Sequence, residues 1–390
     1  MVRELQKQSE LAIRRVLVVG NYCHDVLIHD DRVIGESLGG ASSFISNVLD
    51  NLSINCDYVS KVGSDFAYSV SHPPISSSTS MTTLFHAHFS SNRDQDGNQD
   101  RILRRIHACD PISPSDLPNS QFDFGLAVGV AGEILPETLE RMIGICSVVF
   151  VDIQALIRVF DPIDGTVKLV NLKESGFFHL LPRIGFLKAS AEEAPYVDIE
   201  EARKWCYVVV TDGKDGCRVY SKDGKLQISP FPAVQIDPTG AGDSFLGGFV
   251  AGFIQGLAVP DAALLGNFFG SLTVGQIGVP KFDFRLMQKV KDELQQRRMQ
   301  CIDHCERRDV EAEFRKSVVE NQDFQEFLVG VTKLPSTYLN EEDQLDSQHS
   351  PAQAIEKTSH YQNNGHKLLL NPVYKEESPP VEGQRRHEQG

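Results

Sequence analysis

The 390 residues predict a layered α/β/α domain with a central, mostly parallel sheet and a small inserted β lid. Three observations carry that expectation. Short, continuous apolar runs alternate with helix-period segments, the pattern of parallel strands covered on both faces. Two alternating segments interrupt this rhythm and read as hairpin strands. Hydrophobic residues make up 41% of the chain, enough to bury one large core.

Residues 1–13 mix Arg3, Glu4, Lys7 and Glu10 without an apolar run, so a flexible N-terminus is expected, neither secretory signal nor transit peptide. The first strand covers residues 16–20. Further strands are expected at 125–130, 148–152, 184–187 and 207–211, with a helix over 136–145. Residues 26–37 alternate around Asp30-Asp31. Residues 82–89 also alternate, pass through a polar turn carrying the hairpin pair Asp96-Gly97, and return over 101–107. These segments predict a small antiparallel sheet placed as a lid. His86 and His88 read as one surface face, and Arg101, Arg104 and Arg105 as a solvated edge.

The uncharged runs 245–260 and 262–280 approach the length of a membrane span. They are rich in Gly, broken by Pro and divided by Asp261, so buried helices are expected instead. The α/β domain is expected over 14–297. Residues 298–332 are charged and helix-capable, a helical extension. Residues 333–390 are rich in Gln, Ser, Asn, Glu and Pro, cannot offset chain entropy by burial, and are expected to be disordered.

The formal charge of −15 argues against a nucleic-acid partner, which needs a basic footprint. Eight cysteines lack framework spacing, which suits a reducing, cytoplasmic location. Cys301, His304 and Cys305 lack a fourth ligand nearby, so zinc is not expected there.

The chemistry concentrates in Asp237-Pro-Thr-Gly240-Ala241-Gly242-Asp243, followed by a long apolar helix. Gly240, Ala241 and Gly242 leave backbone amides uncovered where the helix begins, a site for phosphate oxygens. Asp243 would repel such an anion unless it had chemistry to do, such as taking a proton from an attacking hydroxyl. An anion cradle beside a base suggests phosphoryl transfer to an alcohol. A P-loop and the protein-kinase motifs are both absent.

This stretch resembles the C-terminal signature of the ribokinase-like, or pfkB, family of carbohydrate kinases, and the chain is similar to that family over about 14–297. Gly39-Gly40 resembles the start of the N-terminal signature, with Gly63 and Asp65 downstream. Asp25 sits where the family places the carboxylate that grips substrate hydroxyls. Asp152-Ile-Gln154-Ala-Leu-Ile-Arg158 is similar to a strand-ending family segment. Val210-Thr211-Asp-Gly213-Lys-Asp-Gly216 is similar to the nucleotide-side turn. Asn267 resembles the asparagine near the adenine pocket. The family's Asn-x-x-Glu motif appears as Ser190-Ala-Glu-Glu193. Phe44 replaces an asparagine common at that offset, a change expected to reshape the substrate pocket rather than the phosphate site. Within the family, Gly20-Asn-Tyr-Cys-His-Asp25 and residues 37–47, 106–112 and 268–282 resemble plant members that phosphorylate myo-inositol.

The resemblance implies ATP-dependent phosphorylation of myo-inositol to inositol 3-phosphate, feeding phytate synthesis. Asp243 would be the general base, with Gly240, Ala241 and Gly242 as the anion hole. Asp25, Gly39, Gly40 and Phe44 would meet the acceptor, and Thr211, Gly213, Gly216 and Asn267 the ATP. Glu193 would stand in the outer shell of Mg²⁺. The expected partner is a small polyol, with no membrane and no nucleic acid, and the chain acting as a monomer or homodimer. Two alternatives stay open: a pfkB kinase for fructose, ribose or a nucleoside, and a non-catalytic pfkB-like scaffold.

Overall fold

The computed structural model describes residues 14–93, 99–303 and 322–332; side chains at 90–101 and 300–303 lie outside the description. The central sheet has eight strands, and six of them run parallel. From one edge these are β4 (Cys56–Val59), β1 (Val16–Val19), β9 (Phe122–Ala127), β10 (Cys146–Asp152), β13 (Phe186–Ser190) and β14 (Tyr207–Thr211). Strands β15 (Cys217–Ser221) and β16 (Gly224–Ile228) complete the other edge as an antiparallel pair.

Side-chain alternation along β1 explains the layers. Val16 and Val18 enter a core shared with Ile45, Val48, Phe245 and Phe249, whereas Leu17 and Val19 enter another with Leu139 and Met142. The first core is closed by α1 (Ala41–Asn51), α5 (Ala241–Ile254), α6 (Val259–Val274) and α7 (Phe284–Asp303). The opposite face is covered by α2 (Pro136–Ile145), with the one-turn helices α3 (Gln154–Ile157) and α4 (Ile199–Ala202) nearby. The two long uncharged runs are therefore buried helices, α5 and α6, and no described helix is long and apolar enough to cross a membrane. Phe249 and Phe253 of α5 meet Phe186 edge-on, and Phe186 stacks on Phe150 at 4.5 Å. This aromatic cluster fixes the height and tilt of α5 over the sheet.

A separate sheet of four strands occupies the segments expected as a lid, in the order β3 (Arg32–Gly39), β2 (Cys23–His29), β7 (Thr83–Arg93), β8 (Gln99–His107). Asp30 and Asp31 both take positive φ, 44° and 64°, as a tight hairpin turn requires. The lid is mixed rather than antiparallel: β2 and β7 run parallel. Between them the chain returns to the body through α1, β4 and the small pair β5 (Lys61–Gly63) and β6 (Ile75–Ser77), so both hairpins set out in the same direction. Another hairpin, β11 (Arg158–Phe160) and β12 (Val167–Leu169), touches β8 through an Arg104–Thr166 bridge.

Residues 322–332 form a helix, α8, whose Phe324 and Leu328 are buried in the first core, and Arg297 of α7 lies over the Phe324 ring. The Asp96-Gly97 turn, the Cys301 side chain with His304 and Cys305, the N-terminal 1–13 and the tail from 333 lie outside the described residues.

Candidate active site

Asp152, Ser190 and Thr211 end β10, β13 and β14 at the carboxyl edge of the parallel sheet, where open α/β sheets place ligands, and Gln154 ties Asp243 to them. Helix α5 starts there. Its N-cap, Gly240, is left-handed (φ 75°), and no side chain caps the helix. Ser244 N donates to Gly240 O at 2.8 Å, closing the first turn, and Ala241 N donates to Pro238 O at 3.3 Å. The helix-start amides of Gly242 and Asp243 lie ahead of the regular ladder. Upstream, Asp237 accepts from Thr239 N at 2.9 Å, which fixes the turn into the helix.

Asp243 is half-buried on the first turn, and its Oδ1 accepts from Gln154 Nε2 at 3.1 Å. The same nitrogen lies 3.2 Å from Asp152 Oδ2. Asp152 ends β10 opposite Lys188 of β13, and the register sets Lys188 Nζ 3.0 Å from Asp152 Oδ2. Both side chains are buried. Burial pushes the Asp152 carboxyl up to about 6 against the pull of Lys188. Burial opposes the charge on Lys188, but Asp152, Glu193 and Asp243 together raise it to about 12. Burial likewise raises Asp243, with Lys188, Arg158 and the Gln154 hydrogen bond pulling the other way.

Glu193 is buried, not a solvated helix residue. Ser190 N donates to Glu193 Oε2 at 2.9 Å and Glu193 N donates to Ser190 Oγ at 3.2 Å, so serine does the local turn work at this position.

Where the nucleotide turn is expected, Thr211 ends β14 and its hydroxyl donates to Ala189 O at 3.4 Å. A Cβ on Gly213 would meet open space, whereas one on Gly216 would lie 2.2 Å from Ile228 O. The demand for glycine at 216 therefore comes from the chain's own backbone. Asn267 is buried and donates to Ser229 O at 2.8 Å and to Ile228 O at 3.4 Å. Its amide holds the end of β16 and the loop that follows.

On the acceptor side, Asp25 of β2 lies against Gly39, where an added Cβ would fall 2.0 Å from Asp25 Oδ2. Gly40 follows with φ 84° as the N-cap of α1. Phe44 departs from expectation. Its ring is buried (2% exposed) and packs on Gly240 of the expected anion hole.

Two residues near these groups escaped the sequence reading, and a third was read as a solvated edge. Lys188 carried a signal: one lysine in an apolar strand must find a charge partner, but the expected strand stopped at residue 187. Glu133 is buried, with Oε1 accepting from Asn21 N at 3.0 Å and Oε2 from Ala131 N at 2.7 Å, a clamp across the ends of β1 and β9. Nothing in its local sequence marked it. Arg105 is not a solvated edge: it donates to Ala131 O and lies 3.5 Å over the Phe160 ring. Arg104 pairs loosely with Asp164 at 3.6 Å, as an exposed edge would.

Comparison with known proteins bears on this geometry. Residues 184–282 match the profile described as pfkB family carbohydrate kinase. The chain is 64% identical over 288 residues to an inositol 3-kinase of Arabidopsis thaliana, covering 74% of this chain and 82% of that protein. It is 57% identical over 290 residues to an inositol 3-kinase of Oryza sativa subsp. japonica, covering 72% and 73%. Among solved structures it is similar to a pyrophosphate-dependent kinase of the ribokinase family complexed with a pyrophosphate analog and myo-inositol. That match has a TM-score of 0.58 at 16% identity over 68% of this chain and 97% of the other, a likeness of fold. The chain belongs to the pfkB family of carbohydrate kinases.

Proposed function

We propose that this protein transfers the γ-phosphoryl group of ATP to myo-inositol, giving inositol 3-phosphate, with Asp243 as general base. One observation carries the reading: the Asp243 carboxylate is held by Gln154 in the same helical turn that offers uncapped amides for phosphate oxygens. Identity of 64% and 57% to proteins named inositol 3-kinase supports the acceptor.

The acceptor hydroxyl attacks the γ-phosphorus as its proton passes to Asp243; the new O–P bond forms, the bond to the β-phosphate oxygen breaks, and ADP leaves. Transfer of this kind is loose, so the proton can leave late and alignment counts for more than basicity. The amides of Gly242 and Asp243, with Gly240 keeping the approach clear, stabilise charge on the transferred group. Asp25 grips hydroxyls of the polyol by charge-assisted bonds. Thr211 and Gly213 border the nucleotide, while Gly216 and Asn267 hold the walls behind it.

The donor set fits Mg²⁺. Asp152, Glu193 and Asp243 act together on the single ammonium of Lys188, with Arg158 near Asp243. Among the described residues no three side chains form a direct metal-ligand cluster. Glu193, buried beside this group, would hold a hydrated cation through water. Bound there, Mg²⁺ would neutralise phosphate charge.

The test is phosphorus and proton NMR of the product formed from ATP and myo-inositol. Inositol 3-phosphate is expected. Turnover with fructose, ribose or a nucleoside but none with myo-inositol would move the assignment to another acceptor, and nucleotide binding without turnover on any polyol would favour a scaffold.

A further inference from the structure

We propose that Phe44 is a positioning residue that locks the acceptor-binding end of α1 to the anion-binding start of α5, so that hydroxyl and phosphoryl group are presented by one rigid unit. This rests on the kinase reading above.

The argument begins with close approach. A Cβ on Gly240 would lie 2.0, 2.2 and 2.3 Å from three carbons of the Phe44 ring. The ring therefore fills the space beneath the helix N-cap and admits no side chain there. Five residues before Phe44, at the end of β3, Gly39 lies against the Asp25 carboxylate just as closely. Residues 39–44 thus carry, within six residues at the β3–α1 junction, the contact to the acceptor carboxylate and the contact to the anion loop.

The rest of α1 stiffens this link. Asn47, one turn beyond Phe44, donates from Nδ2 to Pro280 O at 2.8 Å. A Cβ on Gly247 of α5 would lie 3.0 Å from Val48, so the two helices cross with little slack. Gly278 adds a further contact, where a Cβ would stand 3.4 Å from Ser37 of the lid strand β3. Removing the Phe44 ring takes out the contact that passes directly from α1 to Gly240 and leaves these flanking ones in place.

The chemistry gives the lock a purpose. Phosphoryl transfer depends on in-line placement, and a misplacement of about 1 Å can cost around a hundredfold in rate. A loosened anion loop would still take nucleotide, but water could reach the γ-phosphorus instead of the polyol, releasing ADP and inorganic phosphate.

The experiment compares wild type with Phe44→Leu and Phe44→Ala in the full chain. ADP released and inositol phosphate formed are measured in the same sample, together with nucleotide affinity in the absence of acceptor. Wild type is expected to give one inositol phosphate per ADP. Phe44→Ala should lose kcat by about a hundredfold, give clearly less than one product per ADP, and keep ATP affinity within about threefold. Phe44→Leu, which keeps a buried side chain in the space, should restore most of the coupling. Should Phe44→Ala fail to fold, Phe44→Leu and Phe44→Met are read by the same ratio, each expected below one. One-to-one coupling in every folded variant, with losses tracking only the amount of folded protein, would make Phe44 a plain packing residue and overturn the proposal. Wild type forming no inositol phosphate would instead overturn the kinase reading, a result separate from the variants' ratio.

Discussion

Gln154 gives a single amide nitrogen to two carboxylates, lying 3.1 Å from Asp243 Oδ1 and 3.2 Å from Asp152 Oδ2. Ionised carboxylates only accept, so a shared donor sets the direction in which the Asp243 oxygen points. Gln154 is itself buried at the start of α3, directly after β10. Gln154→Ala should therefore lower kcat by about ten- to a hundredfold, with ATP affinity nearly unchanged. Gln154→Glu places a further carboxylate against two others and should do worse than Ala, with its activity improving as pH falls. Steady-state kinetics of the two variants across pH distinguish an orienting donor from a packing residue.

Asp243→Asn keeps the shape and removes the proton acceptor. Turnover should fall by about 10²–10⁴-fold, the range of general-base assistance. The asparagine also relieves a carboxylate that burial already disfavours, so the thermal midpoint should hold or rise. A variant with turnover within tenfold of wild type would remove Asp243 from the mechanism.

The pH profile follows from the same shift. Burial raises the Asp243 carboxyl above its ordinary range, near 3.9 for a free aspartate. Below its pKa the side chain is protonated and cannot take the hydroxyl proton, so the rate falls as pH falls. The acid limb of kcat/KM should lie at higher pH than a free aspartate would give. Full activity sustained to pH 4 would contradict a raised base.

Gly39→Ala tests the acceptor side. The new methyl would fall 2.0 Å from Asp25 Oδ2, so the carboxylate must swing away from its place. The KM for myo-inositol should rise by about tenfold or more while the KM for ATP stays nearly constant, the mark of a lost binding group. Equal changes in both would mean that the damage spreads through α1.

Much of the architecture was legible because β1, β10 and β14 are continuous apolar runs and α2 follows the period of a surface helix. The direction of β7 was not. Alternation sets which faces are buried, but parallel or antiparallel pairing depends on the path through β4 to β6, which no local pattern encodes. At the site, the Gly240–Asp243 turn could be read because anion binding by backbone needs small residues at a helix start. Glu133 could not: its partners, Asn21 and Ala131, come together only when β1 and β9 pair. Phe44 was visible as a departure, but its contact with Gly240 spans nearly two hundred residues of chain and arises from helix packing alone.

Lys188 and Asp152 separate stability from catalysis. Their side chains are 8% and 0% exposed, so the pair is screened from solvent. Lys188→Met leaves Asp152 buried with Gln154 as its donor among the described residues, and breaking a buried pair in this way costs roughly 3–5 kcal/mol. Asp152→Asn added to Lys188→Met removes the stranded charge and should recover most of that loss in urea unfolding at pH 7. Activity should not recover. Lys188 Nζ lies beneath the first turn of α5, 3.0 Å from where a Cβ on Gly242 would stand, and no neutral pair supplies that positive charge beside the anion site. A double variant both stable and fully active would show that the ammonium serves only to neutralise Asp152. One that is stable but has lost kcat would assign Lys188 to the transfer step itself.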